Sequence, residues 1–248
     1  MADLSDKARR ALLRAHAVPR SYAVRLVRAP DGRSVAILGE AHLKLAKASE
    51  IGKDVVSAFE LRGVETFQRK QITWGGALGF VITVPRTILR ALAFGAIKDS
   101  TIKDAKQLPS GYTVELERAK RMPFGLHVTA VYMTSFFVVS FLAMVAPLFA
   151  PFVPGLSAAV MLVALGFQFH LLALIPGFFL RRYTWSWLVH PFLGILTLRD
   201  LLMADGTVRM LADHPSMPEA VVVMGRAHVS GYAANLVEQH GFVSVPFP

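Results

Sequence analysis

Two short stretches of this 248-residue chain end in histidine after the same run of residue types, AILGEAHLK (36–44) and VVMGRAHVS (222–230). In each, an apolar strand-like run meets Gly-x-Ala-His and then another apolar residue. Glycine permits a tight turn off a strand end, alanine keeps the wall of the turn small, and the histidine projects at the carboxyl edge of a sheet. In α/β sheets that edge is where ligands bind. His42 and His228, with Glu60 closing the run DVVSAFE, could therefore converge from three strands on one pocket. Two imidazoles and a carboxylate are a sufficient ligand set for a catalytic divalent ion with an open position, and mixed N/O ligation suits manganese, cobalt or zinc. Glu40, inside the first motif, is a further candidate base or ligand. Each of these residues also has a plain alternative, as a turn histidine or an ion-paired strand-end carboxylate.

The elements needed to hold such a site are legible around it. YAVRLVR (22–28) and SVAIL (34–38) flank Pro30-Asp31-Gly32, which predicts a β-hairpin. A helix is expected over about 43–52, a buried strand over 54–60 with Glu60 at its end, and a helix over 62–70. In the last fifty residues EAVVVM (219–224) reads as a strand, followed by the second motif, a helix to about Gln239, a stop at Gly241 and a closing strand over 242–245.

Between these halves the composition changes. The chain is 54% hydrophobic and only 18% charged, with mean hydropathy +0.46, and it carries no cysteine. These values exclude a disordered chain and a disulfide-stapled scaffold. The 27 Lys and Arg against 17 Asp and Glu give a net charge of +10, which the hydropathy assigns to a phospholipid surface and not to nucleic acid. From Arg121 to Arg181 lie 59 residues without a single charge, room for two passes of a bilayer about 30 Å thick. Prolines 147, 151 and 154 with Gly155 mark the turn, predicting helices at about 126–147 and 156–180. The basic flanks Arg118, Lys120, Arg121, Arg181 and Arg182 place both ends of this hairpin, and with them both polar halves, on the cytoplasmic face. Residues 72–97 and 183–198 are expected to lie at the membrane interface. The expected division is 1–70 and 199–248 as two halves of one α/β domain, with 71–198 as a membrane insertion.

Taken together, the residues resemble the TraB/PrgY/Tiki family, related to ChaN-like and erythromycin-esterase-like folds. Gly39–His42 matches the first GxxH motif of that family, and Phe59-Glu60-Leu61 followed by Arg62 matches its glutamate element, with Arg69 an alternative for the arginine. Arg199-Asp200 in TLRDLLMADGTVRML matches its arginine element, and Gly225–His228 with VSGYAANLVEQHGF matches the closing segment. The resemblance covers about 33–70 and 196–245; it departs in placing the membrane helices between the motifs. It implies an α/β fold with a small mixed sheet and a metal-dependent, peptidase-like hydrolase. There His42, His228 and Glu60 would hold the ion, Glu40 or Glu60 would take a proton, Arg199 would stabilise an oxyanion and Asp200 would orient a histidine. Two alternatives stay open: a non-catalytic protein that sequesters a signalling peptide, and a metal-independent esterase. Arg199 could equally be a membrane-edge arginine and Asp200 its ion-pair partner. A peptide or protein ligand is expected, and association of the chain with itself is left open. If His42 and His228 share a site, the chain must cross the bilayer an even number of times between them.

Overall fold

The computed structural model describes residues 4–41, 46–65, 113–115, 123–180 and 183–247; the side chains of 46–49 and 113–115 are not described. The described chain is mixed α/β and falls into two compact units. One holds residues 4–65, 113–115 and 199–247, the other 123–198.

The first unit is built on a sheet of six described strands: β1 (Tyr22–Arg28), β2 (Ser34–Glu40), β3 (Leu61–Val64), β4 (Thr113–Glu115), β5 (Glu219–Gly225) and β6 (Val243–Val245), in the order β4-β3-β5-β2-β1-β6. β4, β3, β5 and β2 run parallel, and β1 and β6 pair antiparallel at one edge. The β1–β2 hairpin closes where expected. Gly32 takes φ +91°, the left-handed region that glycine enters without a Cβ penalty, and the Gly32 N–H donates to the Ala29 carbonyl over 2.9 Å. The Arg33 guanidinium, held by Asp31, donates to the carbonyls of Leu211 and His214 at 2.8 and 2.9 Å, tying the turn to a distant segment.

The central strands β2 and β5 carry unbroken apolar runs over 35–38 and 220–224 and are buried along almost their whole length, so side chains alternate between two buried faces. Val35 and Ile37 of β2, with Ala220, Val222 and Met224 of β5, face a layer formed by α6 (Gly194–Asp213) and α7 (Val229–His240) through Met203, Met210, Tyr232 and Leu236. Ala36, Leu38, Val221 and Val223 face α1 (Asp6–His16) and α2 (Ala46–Ala58) through Leu12, Val55, Val56 and Phe59. Helices thus cover both faces of the sheet. α1 is capped by the Ser5 side chain, which accepts from the Ala8 N–H, and α7 ends at Gly241 with φ +69°.

One stretch corrects the sequence reading. Residues 46–58 form a helix, and the strand expected at 54–60 lies instead at Leu61–Val64. The reason is spacing: Ile51, Val55, Val56 and Phe59 recur at helical intervals and all face one core cluster. The helix expected over 62–70 is replaced at its start by β3, and the remainder lies outside the described residues. β4 had no counterpart in the sequence reading.

The second unit contains two helices long and apolar enough to cross a membrane, Phe124–Phe149 and Pro154–Phe179, with mean hydropathies of 2.0 and 2.2. The first is α3; the second is α4 (Pro154–His170), a 3-10 turn (Leu171–Ala173) and α5 (Leu174–Phe179). Only 22% and 6% of their apolar windows are buried. Met144, Leu148, Leu162 and Phe169 are each about 70% exposed, a surface that water would penalise heavily. Pro147 lies inside the last turns of α3, and Pro154 opens α4 at a first-turn position where its missing N–H costs nothing. Residues 183–198 form two 3-10 turns, Thr184–Leu188 and Pro191–Leu193, and the start of α6. The expected interfacial segment at 72–97 and the basic flanks at 118–121 and 181–182 lie outside the described residues.

Candidate functional site

β5 ends at Gly225, and a 3-10 turn over Arg226–His228 leads directly into α7. This turn places His228 at the carboxyl end of the parallel strands, where it is buried to 4% exposure. Its Nδ1 lies 2.6 Å from Oδ1 of Asp200 on α6. Its Nε2 faces Oε1 of Glu65 at 3.6 Å, too long for a hydrogen bond.

Glu65 follows β3 directly, and its own N–H donates to the Val223 carbonyl, extending the strand pairing by one residue. Its carboxylate is held on both oxygens: Arg199 Nη2 donates to Oε1 at 2.7 Å and the Gly225 N–H donates to Oε2 at 2.6 Å. Four side chains from three separated stretches of sequence therefore form one buried array, Asp200–His228···Glu65–Arg199.

Two glycines make the array possible. A Cβ at Gly231, one turn beyond His228, would lie 2.0 Å from Asp200 Oδ2, so the carboxylate is seated against bare backbone. A Cβ at Gly39 would lie 2.1 Å from Val229 Cγ2 and 3.2 Å from Arg226 Cα. The glycine of the first motif is thus what lets β2 pass against the turn of the second.

The electrostatics of the two carboxylates diverge. Burial pushes the Glu65 carboxyl up, but the charges of Arg199 and His228 and the Gly225 N–H outweigh it and bring it down to about 2. Burial dominates at Asp200 and raises it to about 6, against the opposing bond and charge of His228 and the charge of Arg199. Two acids pushed apart in this way are a pattern found at functional sites.

The sequence-named residues distribute unevenly. Arg199, Asp200 and His228 come together. Glu40 ends β2 in register with Gly225 and is fully buried at the same edge of the sheet. Glu60 does not join them. It is exposed and precedes Leu61, which pairs with Ala220 near the start of β5; Gly225 is five residues, about 16 Å, further along that strand. Glu60 and His228 are therefore not brought together, because 46–58 is helical and the strand begins only at Leu61, after Glu60. The carboxylate beside His228 is Glu65, whose signal was its position at the end of the short run LRGV. His42 lies outside the described residues.

Among the described residues no three His, Asp or Glu side chains are arranged to hold a metal ion. His228 Nε2 and Glu65 make two donors, and Asp200 behind the imidazole is the carboxylate that metal-bound histidines commonly have. The array fits an ion if a third donor joins them. Compared with protein-family models, curated proteins and solved structures, the chain matches none of them.

Proposed function

We propose that this is a membrane-embedded hydrolase of the TraB/Tiki type, acting on a carbonyl substrate such as a peptide. The observation that supports it is the array itself. The residues that the resemblance names for its arginine element and second histidine, Arg199, Asp200 and His228, meet a strand-end glutamate at the carboxyl edge of the sheet. In this reading Glu65, and not Glu60, is the strand-end glutamate of the site. Asp200 fixes the orientation of His228 so that Nε2 is the working nitrogen, and His228 takes the proton from an attacking water. Arg199, held beside His228 by Glu65, is the cation placed to meet developing negative charge. Where an ion is bound, His228 Nε2 and Glu65 would hold it with His42 as the remaining candidate, and it would bring the pKa of a water toward neutrality. The two apolar helices form an inserted hairpin crossing the bilayer twice, so both polar parts of the chain share the cytoplasmic side and complete one domain.

The test is turnover of internally quenched peptides and p-nitrophenyl acyl esters by protein purified in nonionic detergent, with metal content measured alongside. His228→Ala and Glu65→Gln should each lose at least a hundredfold in turnover, while Glu60→Gln keeps the wild-type rate. Equal turnover in His228→Ala, or loss in Glu60→Gln, would overturn the assignment. Equal metal content in wild type and His42→Ala/His228→Ala would remove the ion and leave the esterase form of the mechanism. The competing reading is a non-catalytic protein that sequesters a peptide. Peptide binding by the wild type with no turnover of any substrate would establish that instead.

A further inference from the structure

In the helical-hairpin unit, polar side chains gather at one place. Tyr132 of α3, His170 at the end of α4 and His190 between the two 3-10 turns pack ring against ring. The Tyr132 ring centre is 5.3 Å from His170 and 5.4 Å from His190, and the two imidazoles stack at 4.6 Å. The Tyr132 hydroxyl makes a short hydrogen bond with His170 Nδ1. The Phe192 N–H donates to His190 Nδ1 over 3.2 Å, so the neutral ring of His190 carries its proton on Nε2. That nitrogen is buried without a partner among the described residues. Burial and the charge of His170 bring His190 down to about 4, so it stays neutral. A metal suits this node poorly: Nε2 could ligate only if its proton moved to Nδ1, against the Phe192 N–H. His190 thus presents a buried N–H donor at the node.

Tyr132 also lines a cavity of about 470 Å³, within the range of small-molecule sites. Its walls include the rings of Phe124, Tyr132 and Phe167, and its other polar side chains are His127 and Ser135. In the tautomer of His170 that carries its proton on Nδ1, this nitrogen donates to the phenol oxygen and leaves the hydroxyl proton of Tyr132 for an acceptor in the cavity; the proposal takes that tautomer. We propose that this cavity binds a lipid-soluble quinone-type ring, whose carbonyl oxygen accepts from the Tyr132 hydroxyl while its face lies against the aromatic walls. A flat, uncharged acceptor matches rings that favour offset stacking, and among the described residues the lining holds no Lys or Arg to receive a carboxylate or phosphate. The inference rests on the membrane reading of the hairpin, which supplies the ligand from the bilayer.

Equilibrium dialysis of the detergent-solubilised protein against radiolabelled decylubiquinone tests it. Saturable binding is expected, weakened about tenfold by Tyr132→Phe, the effect of one lost hydrogen bond, and abolished by Val128→Phe, which fills the cavity. Unchanged helical circular dichroism shows that each variant is folded. The proposal fails if no saturable binding is seen, if Tyr132→Phe binds like the wild type, or if oleate or phosphatidylcholine displaces the label as well as unlabelled quinone does. Alkaline carbonate extraction separates the two levels. A chain released from membranes refutes the membrane reading, whereas a retained chain that fails to bind refutes the quinone site alone.

Discussion

Replacing Asp200 by Asn should invert the way the sheet unit responds to pH. Asparagine keeps the shape of the side chain and an oxygen that accepts from His228 Nδ1, but it cannot titrate. In the wild type the Asp200 carboxyl is raised by burial from 3.8 to about 6, so the folded state holds its proton more tightly than the unfolded chain. Its contribution is therefore fully present below about pH 4 and is lost as the pH rises through 6. A displacement of about two units is worth on the order of 3 kcal/mol, or roughly 6–12 °C in Tm for a chain of this size. Glu65 has the opposite sign: lowered to about 2, it contributes stability above pH 4.5 that is lost as the pH falls through 2. The wild-type profile should thus rise to a maximum near pH 4–5 and fall toward pH 7. Asp200→Asn should keep the acid limb and lose the fall, so that it gains on the wild type by about 3 kcal/mol between pH 4 and 7. Thermal unfolding followed by near-ultraviolet circular dichroism in nonionic detergent, at half-unit steps from pH 4 to 7, reads this directly. Parallel profiles for the two proteins would refute the assignment of a strained carboxylate to Asp200.

Four further substitutions probe the same framework by thermal unfolding. Glu65→Gln leaves the buried Arg199 guanidinium without its carboxylate and should cost about 3–5 kcal/mol, whereas Glu60→Gln, at an exposed position, should stay within about 0.5 kcal/mol; similar losses for both would contradict the placement of the site. Gly231→Ala drives a methyl into Asp200 and should cost at least about 2 kcal/mol, with the His228 Nδ1 proton resonance shifted or lost in the NMR spectrum; an unchanged resonance would mean that the glycine does not position the pair. Gly241→Ala must hold φ +69° with a Cβ and should cost about 1 kcal/mol, with no change at His228; a neutral outcome would argue against the left-handed helix stop.

How far the sequence could be read depended on whether a segment's pattern had one solution. VVVM in β5 is a continuous apolar run of strand length with turn signals on both sides, and Pro-Asp-Gly between two alternating runs has few folds other than a hairpin. The charge-free stretch from 122 to 180 is decided by composition alone, and the apolar spans Phe124–Phe149 and Pro154–Phe179 agree with the expected helices to within a few residues, the second being broken by a 3-10 turn at Leu171–Ala173. Residues 46–60 had two solutions. DVVSAFE is apolar enough for a buried strand, yet with Ile51 it also forms a helical stripe, and tertiary packing chose the helix. The strand end therefore falls at Val64, and the carboxylate at the carboxyl edge of the sheet is Glu65 and not Glu60. The three residues β4 contributes are too few to carry a period at all.

The site depends on the same kind of local decision. A GxxH motif reads as a histidine preceded by a turn, but the structure uses the glycine of the first motif, and another three residues past the second, for something that spacing cannot express. Gly39 makes room for Val229, and Gly231 makes room for Asp200, so each glycine serves a residue far away in sequence. The result is a carboxylate pressed between backbone and imidazole and raised by its own burial, next to a second carboxylate held down by an arginine. A fold selected for stability alone would gain by replacing Asp200 with a neutral side chain, since the charged form is unfavourable above pH 6. Retaining an acid there makes sense if the proton on the Asp200–His228 pair is used. That argument ties the chemistry to the stability: the variant expected to be most robust at pH 7, Asp200→Asn, is also the one expected to lose turnover.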